Sequence, residues 1–115
     1  MPGLSVHVVD VTRGLPAQGM GVAVHSLAPG RRLLAQGVLS ASGVLDHAIT
    51  NETLPVGVYE VVFQAGAFFA AAGVAQADPP FLGEVPFRFS IADPQQHLHL
   101  PLKITPWGFS IWRGA

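Results

Sequence analysis

Two histidines separated by one leucine, His97-Leu98-His99, are the residues of this chain best placed by type and spacing to do chemistry. On a strand, residues i and i+2 face the same way. That sets the two imidazoles side by side at about 7 Å and turns Leu98 and Leu100 toward the core. Such a pair can share a water, a metal ion or a proton-transfer task. On spacing alone, a polar strand face with two solvated histidines is the simpler reading.

His7 lies mid-strand on the face opposite Leu4, Val6 and Val8, where a lone histidine is ordinarily a surface residue. Arg113 stands beside Trp112 near the C-terminus, and its planar fork could hold an anionic or carbonyl-bearing ligand, or simply be a tail charge. His25 and His47 have no local partner and read as surface residues. The chain has no cysteine, and its serines, Ser5 among them, lack the strand-turn-helix context of an activated nucleophile. The acids are scattered, with Asp46, Asp78 and Asp93 reading as turn residues. No phosphate loop, dinucleotide fingerprint or aromatic-basic stacking surface is visible. Any chemistry here uses imidazoles, a guanidinium and water, the equipment of a small-molecule hydrolase or proton-transfer enzyme.

The elements that must carry these residues are short β-branched runs separated by Gly, Pro, Asn and Asp. The pattern predicts strands over 4–9, 20–27, 32–39, 44–49, 58–64, 85–91, 97–104 and 109–112. The stretch 13–16 reads as a loop. The Ala-rich, Gly-bounded segment 65–73 predicts one short helix, and Asp78-Pro79-Pro80 forces an extended loop after it. Pro86 and Pro101 lack the N–H a ladder needs, so they belong at edges, strand starts or bulges. Eight strands and one short helix make an all-β, two-sheet sandwich, in a single domain over 1–115.

Half of the 115 residues are apolar and only 11% are charged, against about 25% in ordinary soluble domains. A small domain so poor in charge leaves apolar surface to be covered by further copies, which predicts a homo-oligomer. A net charge of −1 offers no footprint for nucleic acid or an acidic membrane. No signal peptide is seen, and no apolar run approaches the roughly 18 residues that span a bilayer, so the cytoplasm is the expected compartment.

Read in order, the motifs resemble the 5-hydroxyisourate hydrolases, the enzyme branch of the transthyretin family. Leu4-Ser5-Val6-His7-Val8-Val9-Asp10 is similar to the family's opening strand, and Arg13-Gly14-Leu15-Pro16-Ala17 to the loop after it. Gly57-Val58-Tyr59-Glu60-Val61-Val62-Phe63 matches the strand before the family's short helix. Asp78-Pro79-Pro80-Phe81-Leu82 and Val85-Pro86-Phe87-Arg88-Phe89 resemble the family's segment after the helix. His97-Leu98-His99-Leu100-Pro101-Leu102 resembles the family's His-Tyr-His-Val-Pro-Leu, and the end, Trp112-Arg113-Gly114-Ala115, its Tyr-Arg-Gly-Ser. The resemblance implies a transthyretin-like sandwich assembled as a homotetramer, a dimer of dimers, with clefts at the dimer–dimer interface. It implies water-mediated opening of the 5-hydroxyisourate ring in urate degradation, without a cofactor. His99 is then the acid/base residue, His7 polarises water, His97 supports them, and Arg113 holds substrate oxygens.

Three substrate-facing positions depart from the family pattern. Val44 stands after the turn glycine where the family has a substrate-binding arginine. Trp112 replaces a tyrosine, exchanging a hydroxyl for an indole N–H, and Ala115 replaces a serine. Gly66-Ala67-Phe68-Phe69 stands where the family often has Gly-Asp-Tyr-Phe, a structural change. All three site changes make the cleft more apolar. Three functions fit these residues: the family hydrolase, a diverged enzyme acting on a more apolar cyclic substrate, or a non-catalytic small-ligand carrier. Clustered imidazoles weigh against the carrier. Three histidines from two strands could also bind zinc with a position left for water, although no carboxylate support is visible and the chemistry does not require a metal.

Overall fold

A computed structural model describes residues 2–114 of the chain. The strands are β1 (Leu4–Asp10), β2 (Leu15–Pro16), β3 (Gly21–Ser26), β4 (Arg32–Val38), β5 (Gly57–Gln64), β6 (Glu84–Ile91), β7 (Leu98–Thr105) and β8 (Gly108–Ile111), with one helix, α1 (Ala65–Ala71), after β5. They form two four-stranded sheets, ordered β2-β1-β7-β8 and β4-β3-β5-β6. β1 and β7 run parallel, and every other strand pair is antiparallel. No helix of the described residues is long and apolar enough to cross a membrane.

Alternation builds the core. In β1, Leu4, Val6 and Val8 are buried, and in β7 Leu100, Leu102 and Ile104 are. They meet Val22, Val24, Val61 and Phe63 of the second sheet. The helix begins directly after β5 and presses Phe68 and Phe69 into this layer, their rings edge to face at 5.1 Å. The all-β sandwich read from the sequence is thus observed.

Three local expectations are corrected. Residues 44–49 do not form a strand. Val44 makes a single bridge to His7, and the chain then turns into a short 3-10 helix (Ala48–Asn51). The reason is that the edge of β1 is shared: Leu15–Pro16, expected as loop, pairs with Val9 and Asp10 and leaves only the middle of β1 for the Val44 segment. Pro101 sits inside β7, which is flanked by β1 and β8, while Pro86 lies on the edge strand β6 as expected. Pro101 is tolerated because it faces the gap in β8 between Ile111 and the bridge at Gly114.

Candidate functional site

The parallel β1–β7 pair sets the site out on the outward face of its sheet. Core residues take the even positions of both strands, so Ser5 and His7 on β1 and His99, Pro101 and Lys103 on β7 share the outer face. The register places Ser5 beside His99 and His7 beside Pro101. His97 precedes β7 by one residue on the same face and is exposed, while His7 and His99 are half-buried. The N–H of Leu98 donates to the Gly3 carbonyl at 2.8 Å, which ties the chain entering β1 alongside His97. The structure therefore brings His7, His97 and His99 to one face, as their positions in the sequence suggest.

Ser5 links two of them. Its Oγ lies 2.8 Å from His97 Nε2 and 2.7 Å from His99 Nδ1. The other nitrogen of His97, Nδ1, donates to the Pro2 carbonyl at 3.3 Å. His99 has its pKa lowered, first by burial and then by the neighbouring His7 and His97, so it is held neutral. Weighing the serines of the sequence only as nucleophiles misses Ser5. Its place two residues before His7, hence on the same strand face, is the available signal.

Val44 lies next to His7. The segment is clamped to β1 by Val8 N–H donating to the Gly43 carbonyl at 2.9 Å and Leu45 N–H donating to the Val6 carbonyl at 3.2 Å. Gly43 has φ +77°, and a Cβ there would come within 2.6 Å of the Val8 carbonyl oxygen, so the turn that delivers Val44 requires glycine. On the far side, the Trp112 ring lies 5.7 Å from Lys103 Nζ and is 41% exposed.

Arg113 is not brought to the imidazoles. Gly114 bridges His99, so by alternation Trp112 and Gly114 share the outer face and Arg113 points off the opposite one. Its guanidinium donates to Gln96 Oε1 at 2.7 Å and lines a cavity of about 110 Å³ with Ser90, Asp93 and Leu98. Ala115 lies outside the described residues. His47, expected at the surface, is half-buried and caps the 3-10 helix, its Nδ1 accepting from the Ile49 N–H at 3.0 Å. His25 is likewise half-buried, 3.5 Å from Arg31 Nη2.

Zinc fits this arrangement poorly. Both nitrogens of His97 and Nδ1 of His99 are already in hydrogen bonds, and among the described residues no group of three or more His, Cys, Asp or Glu is arranged to hold a metal. What the arrangement can do is accept a proton at the remaining nitrogen of His99, with a second imidazole at His7 to orient a water.

Comparison with known proteins finds relatives over nearly the whole chain. A family model described as the HIUase/Transthyretin family matches residues 4–114. A 5-hydroxyisourate hydrolase 2 of Rhizobium meliloti is 40% identical over 114 residues, covering 97% of this chain and 95% of that protein. The solved structure of the Klebsiella pneumoniae 5-hydroxyisourate hydrolase superposes with a TM-score of 0.82 at 33% identity, over 98% of this chain and 99% of that one. A crystal structure of (S)-allantoin synthase superposes with a TM-score of 0.89 at 36% identity over 98% of this chain, which spans only 43% of that longer protein.

Proposed function

The chain belongs to the HIUase/Transthyretin family, and from that premise we propose that it is a hydrolase that uses water to open the six-membered ring of 5-hydroxyisourate. The observation that carries the reading is the half-buried His99 on the same sheet face as His7 and His97, where burial lowers its pKa. In this reading His99 removes a proton from water as the water oxygen bonds to a ring amide carbon. His7 holds that water, and the ring C–N bond breaks as its nitrogen takes up the proton that His99 accepted. His97 supports His99. Trp112 and Val44 line the flanks. Arg113 acts from behind the strand, fixing the segment that carries Gly114 through its bond to Gln96. An open sheet face becomes a cleft only when a second copy covers it. Exposed Trp107, Phe109 and Trp112 and the low charge content support assembly as a homotetramer.

A second reading has its own observation. Val44, beside His7, cannot donate a hydrogen bond to a polar substrate, and this favours the same hydrolytic chemistry on a more apolar cyclic amide. One experiment separates the two. 5-Hydroxyisourate is generated in place with urate oxidase and its ultraviolet decay is followed with the protein and with His99→Ala. Acceleration over spontaneous decay that disappears in the variant supports the first reading. No acceleration by folded protein overturns it and directs the search to apolar lactams.

A further inference from the structure

Ser5 is placed to decide which nitrogen of His99 can act as a base. Its single hydroxyl lies between two ring nitrogens, at 2.8 Å from His97 Nε2 and 2.7 Å from His99 Nδ1. With one proton, it donates to one ring and accepts from the other. The direction is set from the end of the chain of bonds. The Pro2 carbonyl can only accept, so His97 Nδ1 carries hydrogen, and neutral His97 turns a bare Nε2 toward Ser5. Ser5 therefore donates to His97, and its lone pair accepts from His99 Nδ1–H.

We propose that Ser5 is a positioning residue that, anchored through His97 to the Pro2 carbonyl, holds His99 in the Nδ1–H tautomer and leaves Nε2 free as the base. The proposal rests on the reading of His99 as the proton acceptor and deepens it. A free imidazole in water favours hydrogen on Nε2, the form that cannot accept a proton there. Without the serine, the population of competent His99 falls, although every ring remains in place.

The same bonds transmit charge. When His97 is protonated, its Nε2–H donates to Ser5, the hydroxyl turns, and Ser5 donates to His99 Nδ1. His99 must then carry its hydrogen on Nε2 and is no longer a base. The other charged or titratable groups on this face are His7 from β1 and Lys103 from β7. Arg113 is turned to the opposite face, on Gln96, and His47 is engaged with the Ile49 N–H. A water proton accepted at His99 Nε2 can also leave along this path: His99 Nδ1–H to Ser5 Oγ, and the Ser5 proton to His97 Nε2, which places the positive charge on the exposed ring.

The test is nitrogen NMR of the full chain labelled in its histidines, on wild type, Ser5→Ala and Ser5→Thr at a pH where the rings are neutral. Wild type is expected to show His99 with Nδ1 protonated and Nε2 bare. Ser5→Ala is expected to shift His99 toward Nε2–H, and Ser5→Thr, which keeps a hydroxyl on a strand, to restore the wild-type pattern. On 5-hydroxyisourate, Ser5→Ala is expected to lower kcat several-fold with little change in KM, and Ser5→Thr to recover it. A wild-type His99 with hydrogen on Nε2, or a folded Ser5→Ala that keeps the Nδ1–H form, overturns the proposal. The tautomer is read without substrate, so a failure of the hydrolase assignment and a failure of the Ser5 assignment are seen separately.

Discussion

Gly114 lies across from His99 with no room for a side chain between them. The Gly114 N–H donates to the His99 carbonyl at 2.7 Å, and a Cβ on Gly114 would sit 2.8 Å from His99 Cδ2 and 3.1 Å from Pro101 Cδ. The proline ring is fixed in the strand, so the imidazole has to yield. Gly114→Ala is therefore expected to rotate His99 away from Ser5 and cut turnover by about tenfold or more, at a stability cost of roughly 1–3 kcal/mol from overpacking. Steady-state rates with urea denaturation check this. Wild-type turnover in the variant would show that the ring has slack.

The acid limb of activity should report the environment of His99. His99 is held neutral by burial and by His7 and His97, so kcat/KM is expected to be flat from neutral pH upward and to fall on the acid side. His97→Asn takes away one of the charges that lower the His99 pKa, so the acid limb should move to higher pH, while burial keeps it below the ordinary imidazole value of about 6.5. An unmoved limb in His97→Asn would mean that the two rings act independently.

Much of this arrangement is legible in the sequence, and the remainder is hidden for physical reasons. Period-two alternation in Leu4 to Val8 and in Leu98 to Ile104 is enough to put His7, His97 and His99 outside and the aliphatic residues inside. The short helix is marked by the Ala-rich run bounded by glycine. Residues 44–49 carry strand-like composition, yet whether they pair depends on which edge of β1 is free, and that is settled by Leu15–Pro16 across the sheet. Arg113 reads as either a ligand group or a tail charge from its neighbours in the chain, and only the family resemblance assigns it to substrate. Its direction depends on the bridge between Gly114 and His99, a long-range register that composition does not report. Ser5 is hidden for the opposite reason, since its role needs no special residue type, only a hydroxyl between two rings.

Glu60 offers a pH-dependent test of the second sheet. It is buried on β5 and accepts from Arg31 Nη1 at 2.8 Å and Arg88 Nη2 at 3.2 Å. The Arg31 hydrogen bond, opposed by burial and aided by Arg88, holds its carboxyl below the ordinary value. A depressed carboxylate stabilises the fold above its unfolded pKa of about 4.3, and that stability is lost as pH falls through the lower folded value. Both arginines are largely exposed, at 51% and 66% of their side-chain surface, so the gain is modest. Glu60→Gln is expected to cost about 1 kcal/mol at pH 7, with the gap closing below about pH 4. Urea melts at the two pH values measure it, and a gap independent of pH would assign the effect to packing.

Val44 is the position at which the two substrate readings divide. It bridges His7 on the open face, and the turn that carries it is clamped to β1 by bonds that involve only main-chain atoms. A longer side chain there can extend over the face without disturbing the strand. Val44→Arg would bring a guanidinium to the His7 side of the face, where it can hydrogen-bond an oxygen that gains charge as the ring opens. If 5-hydroxyisourate is the substrate, the added donors should raise kcat/KM by about 10- to 1000-fold, the span of roughly 1.4–4 kcal/mol for one well-placed donor. If the cleft serves a more apolar ring, the charge must be desolvated against Val44's former neighbours and turnover of that ring should fall. Parallel decay assays of both proteins on 5-hydroxyisourate decide the matter. A folded Val44→Arg with no gain on that substrate would remove the case for the missing arginine and leave Val44 as a residue selected for a different ligand.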